Sequence, residues 1–104
     1  MVRIESVHHK LFGPMVRMVI AGGPDITMTQ LEALTLSKAL AALSEGRSSA
    51  RDIYMSPIAS DGDLSIEVKE DGLQVENGPL LPWAEAPRLS RELAGAAGEP
   101  VVVQ

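Results

Sequence analysis

A chain of 104 residues, 45% hydrophobic and 22% charged, has the size and composition of one globular domain; lacking cysteine, it has no disulfide, thiol nucleophile or thiolate metal site. The net charge of −5 is concentrated in residues 61–76, where Asp61, Asp63, Glu67, Glu70, Asp71 and Glu76 face Lys69 alone. With the nine Lys and Arg scattered, no basic stripe exists for nucleic acid.

Arg3 and Glu5 sit where a secretory signal needs an apolar run, and no apolar stretch is long enough to cross a bilayer. The expectation is a cytoplasmic protein with no membrane and no nucleic-acid partner. No internal repeat is evident, and the Pro/Gly-rich stretches are turn-sized.

Val2 and Ile4 alternate with Arg3 and Glu5, the pattern of a half-buried strand, and Met15 to Ile20 reads as a more buried one. Residues 10–14 connect them as a hairpin. Ala21 to Asp25 is a loop, followed by two overlapping capping boxes, Thr27 with Gln30 and Thr29 with Glu32, so a helix is predicted over 27–45 with Gly46 closing it. On that helix Leu36, Leu40 and Leu43 fall on one side and Leu31 and Leu34 on the other, with Met28, Ala39 and Ala42 between. An apolar surface that wraps more than one face calls for two covers: its own sheet, and a second helix or another subunit.

Asp52 to Ser56 reads as a short strand that Pro57 pushes to an edge. Asp61-Gly62 and Asp71-Gly72 bracket the strict alternation of Leu64, Ile66 and Val68 with Ser65, Glu67 and Lys69, and Leu73 and Val75 continue it. Residues 63–76 are therefore a hairpin with one apolar face and one acidic face, the latter carrying Asp63, Glu67 and Glu76. Pro79 to Trp83 is a connection folded over the core, Pro87 opens a second helix bearing Leu89 and Leu93, and Val101 to Val103 is a short last strand. The fold class is α+β: a mostly antiparallel sheet of five or six strands with two helices, in the order ββαβββαβ, forming one domain over 1–104.

His8 and His9 point to opposite faces of a strand and match no zinc spacing. Asp61-Gly62-Asp63 begins like a calcium loop, but Ile66 and Gly72 stand where its sixth-position glycine and twelfth-position carboxylate belong. The 21–25 loop lacks both the phosphate-loop lysine and the dinucleotide glycine spacing, and no nucleophile elbow is present. Catalytic candidates are thus His8, His9, Asp61 and Asp63, with Glu85 a further acid; pocket candidates are Tyr54 and Trp83. Neither cofactor nor metal is expected. The function these residues favour is non-catalytic: a small interaction or accessory protein, homodimeric through helix 27–45 (Leu31, Leu34, Leu36, Leu40, Leu43) or a sheet edge, with the acidic face suited to a basic protein partner. The alternative is a small-molecule-binding protein or small enzyme with a pocket between sheet and helices, using dispersed His, Asp and Tyr residues.

Overall fold

The computed structural model describes residues 1–60 and 62–98; Asp61 and the strand expected at Val101 to Val103 lie outside them. The opening alternation folds as a long antiparallel hairpin of β1 (Val2–His9) and β2 (Gly13–Ile20), in register from Val2 opposite Ile20 to His9 opposite Gly13. After the Ala21–Pro24 turn the chain does not enter a helix at once. Asp25–Thr29 (β3) first pairs back on β2, placing Met18 opposite Ile26 and burying Ile26 and Met28. Thr27 is therefore a strand residue, and of the two overlapping capping boxes only the second operates. The Glu32 N–H donates to Thr29 Oγ1 at 3.0 Å, and the Thr29 N–H donates to Glu32 Oε1 at 2.8 Å, opening α1 at Gln30–Ser44.

Beyond α1 the chain forms β4 (Asp52–Met55), β5 (Leu64–Lys69), β6 (Gly72–Val75), β7 (Leu80–Pro82) and α2 (Glu85–Ala96). Instead of one sheet of five or six strands there are two antiparallel sheets, β1-β2-β3 and β4-β5-β6-β7. The two unforeseen strands, β3 and β7, each follow a Gly-Pro turn that folds a short apolar segment back on its predecessor. The β5–β6 turn also lies one residue earlier than the Asp-Gly pair suggests. Lys69 faces Gly72, so Glu70 and Asp71 make the turn and Gly72 begins β6, where it lies against the backbone of Leu81.

The chain is a repeat in structure. A three-stranded meander followed by a helix occurs twice, as β1-β2-β3-α1 and as β5-β6-β7-α2, and the Gly-Pro turns of the two halves share their hydrogen bonds. The Ile20 N–H donates to Pro24 O and the Gly23 N–H to Ile20 O; the Val75 N–H donates to Pro79 O and the Gly78 N–H to Val75 O. Gly22 and Asn77 occupy the same place in these turns, both with positive φ. The helices match in sequence as well: Glu32-Ala33, Leu36-Ser37 and Leu40-Ala41 correspond to Glu85-Ala86, Leu89-Ser90 and Leu93-Ala94. Ala33, Leu36 and Leu40 of α1 and Ala86, Leu89 and Leu93 of α2 are the buried stripes.

Two contacts between the halves are reciprocal, as around a two-fold axis. Ser37 Oγ donates to Ser90 O at 2.6 Å, and Ser90 Oγ donates to Ser37 O at 2.9 Å, pinning α1 to α2. Gly23 and Gly78 meet so closely that a Cβ on either would lie within about 3.3 Å of the other's Cα. This arrangement answers the two-sided apolar helix: the second cover of α1 is α2. Leu36 and Leu40, expected at a subunit interface, belong to the interior at 1% and 2% exposure; Leu34 and Leu43 are partly buried against the same core, and Leu31 alone stands out at 74%.

Candidate functional site

Each sheet buries one face in the common core and leaves the other polar. On the first sheet the outward charges are compensated: Arg17 pairs with Asp25 at 2.5 Å and with Glu5 at 3.2 Å, and Arg3 lies 3.7 Å from Glu5. The Arg17 guanidinium holds the Asp25 carboxyl below the usual carboxylate range.

The second sheet differs. Its pairing register aligns Asp52 with Glu67 and Glu67 with Gln74 in one cross-strand row, and Tyr54 with Ser65 in the next, where the Glu76 N–H donates to Ser65 O. Side chains in such rows share a face. That outer face therefore gathers the exposed carboxylates of Asp52, Glu67 and Glu76, with exposed Asp63 at its border. Lys69, 3.0 Å from Glu67, is the cation paired there. Asp52 and Glu67 stand directly opposite one another, an arrangement that costs stability when left uncompensated.

Tyr54 is 63% exposed, and its hydroxyl donates to the Asp63 carboxylate. The bond lowers the Asp63 pKa, helped by Ser56, and raises that of Tyr54. Removing the hydroxyl by Tyr54→Phe is expected to move the Asp63 titration back up toward the ordinary aspartate range, followed by the NMR shift of its side-chain carboxyl; an unmoved midpoint would show that the phenol does not hold Asp63. Around this pair lies a shallow depression of about 340 Å³ lined by Tyr54, Asp63, Ser65, Glu76 and Asn77 with the Gly23-Pro24 turn. A second of about 330 Å³ adjoins it along Asp52, Ser65, Glu67, Gln74 and Glu76.

The histidines are elsewhere. His8 and His9 are at the tip of the β1–β2 hairpin, where His9 Nδ1 accepts the backbone N–H groups of Leu11 and Phe12 and its ring lies 4.9 Å from that of Phe12. This is a turn-closing role, and the structure does not bring His8 or His9 to Asp63. Trp83 lies apart from this pair: its indole N–H donates to Glu70 O at 3.0 Å while the ring packs on the core, covering the end of the β5–β6 hairpin. Glu85 lies on α2 in an ion pair with Arg88 at 2.6 Å, which holds its pKa down.

Among the described residues, no three His, Asp or Glu side chains converge as a metal-binding group, and every buried side-chain nitrogen or oxygen has a hydrogen-bond partner. No helix among them is long and apolar enough to cross a membrane. The acidic face was visible in the sequence as the alternation after Asp63; the contribution of β4, with Asp52 and Tyr54, was not, since strand pairing across a long loop leaves no local signal. No family model, no curated protein and no solved structure matches the chain.

Proposed function

We propose that the chain is a non-catalytic interaction module whose second sheet receives a basic segment of a partner protein on its outer face. The contrast between the two sheets carries this reading. The same architecture occurs twice, yet the outward charges of the first sheet are neutralised internally while, among the described residues, Asp52, Asp63, Glu67 and Glu76 of the second are opposed by Lys69 alone. Placing cations opposite those carboxylates relieves the like-charge pairing of Asp52 and Glu67 and provides electrostatic complementarity. Tyr54, rigid and amphipathic at the β4 border of the face, supplies the type of anchor on which interfaces concentrate binding energy. Contact through α1 is not part of this proposal, because α2 occupies the side of that helix that a second subunit would have covered.

The test uses a fluorescent lysine-rich peptide as the basic probe. Its affinity is expected to weaken steadily with salt and to fall about tenfold in the Glu67→Gln/Glu76→Gln variant, as two rim charge pairs of somewhat under 1 kcal/mol each would give. Affinity that ignores both salt and the substitutions rejects the acidic face as the site.

A further inference from the structure

The border of the acidic face is an open sheet edge. The Val68 N–H donates to Arg51 O at 2.8 Å, so the backbone of Arg51, Ile53 and Met55 is directed at β5, and strand alternation turns the N–H and C=O groups of Asp52 and Tyr54 the other way. On that side β4 ends the sheet, with no further strand among the described residues. Beside the edge runs a groove of about 270 Å³ between β4 and α1, its walls including Thr35, Ala39 and Leu43 of the helix and Ile53 and Met55 of the strand. An unpaired edge, an apolar trough next to it and an anionic face beyond it are three adjacent surfaces of different chemistry.

We infer that β4 takes an extended segment of the partner as a fifth strand of the second sheet, a segment in which apolar residues alternate with lysine or arginine. This rests on the acidic-face reading above and specifies the form of its partner. In a strand added to β4, one set of side chains drops into the trough against Ala39, Leu43 and Ile53, and the other lies beside Asp52, Tyr54 and Glu67. Backbone hydrogen bonds to Asp52 and Tyr54 supply affinity, while the alternation supplies selectivity. A second copy of this chain fits less well, because pairing β4 with β4 would extend one uncompensated acidic face into another.

The experiment compares peptides of alternating lysine and valine against the whole protein. The parent peptide is expected to bind at least about tenfold more tightly than an isomer with its lysines and valines in separate blocks. Backbone N-methylation then reads the geometry directly, since residues whose N–H groups point at β4 are all of one parity. For antiparallel addition the lysine amides face β4: methylating them should cost about tenfold or more, the loss of one or two hydrogen bonds, while methylating the valine amides should cost little. Loss confined to the valine amides supports parallel addition. Equal loss in both series, or none in either, overturns strand addition, and salt-sensitive binding that persists in that case leaves the acidic-face reading intact. Absence of binding by any basic peptide at low salt removes both. A protein that is dimeric by light scattering, and that binds the peptide only where dilution has dissociated the dimer, assigns the edge to a second copy and overturns the inference.

Discussion

Gly72→Ala is expected to lower stability by roughly 3 kcal/mol, a fall in melting temperature of more than about 10 °C for a domain of this size. A Cβ at this position would lie 2.2 Å from Leu81 O and 3.0 Å from Leu81 C. Neither atom belongs to a side chain that could swing away: Leu81 is buried, and its backbone is held in register opposite Leu73. To admit a methyl group, β7 must separate from β6, and Leu81 is withdrawn from the core as it does so. The control is Gly95→Ala near the end of α2, where a Cβ meets nothing within 4 Å; there the better helix former should raise stability by about 0.5–1 kcal/mol. Thermal unfolding followed by circular dichroism separates the two signs. Comparable melting temperatures for wild type and Gly72→Ala would mean that β7 can part from β6 at little cost.

Leu36→Ala and Leu31→Ala should differ as sharply, although both residues are leucines of the same helix. Leu36 is buried among α2 and the sheets, and its truncation is expected to cost about 2–5 kcal/mol in urea unfolding, through lost apolar burial and the cavity left behind. Leu31, 74% exposed, should change stability by no more than about 0.5 kcal/mol. Similar losses at both positions would show that α1 carries a cover over Leu31 as well, which is the arrangement that a homodimer through this helix requires.

The Leu36 and Leu31 contrast shows where sequence reasoning succeeds and where it stops. Periodicity locates α1, and the two overlapping capping boxes bring its start close to Gln30 without choosing between Thr27 and Thr29, because both are local signals within one or two turns. The two-sided apolar pattern correctly demanded a second cover, but the choice between α2 and another molecule is a matter of tertiary placement. Strands β3 and β7 escaped notice for a different reason: three to five residues after a Gly-Pro turn are too few to establish a period of two. In the β5–β6 hairpin, Asp71-Gly72 carries the preferred turn dipeptide, yet the close approach of Leu81 claims Gly72 for the strand. The duplication was legible in principle, in Leu36-Ser37 with Leu40 against Leu89-Ser90 with Leu93, and was hidden by strands of different length in the two halves. For the acidic face, the alternation around Glu67 showed that a face existed; only the register of β4 on β5 adds Asp52 and Tyr54 to it.

The reciprocal Ser37–Ser90 and Gly23–Gly78 contacts have a consequence for how the molecule holds together. A half-sized chain with this surface would have to find a second copy by diffusion, and its fold would weaken on dilution. Here the connection between α1 and β4 makes that encounter intramolecular and replaces the concentration of a partner with a local one on the order of millimolar. Formation of the α1–α2 contact within one chain is thereby made independent of how much protein is present.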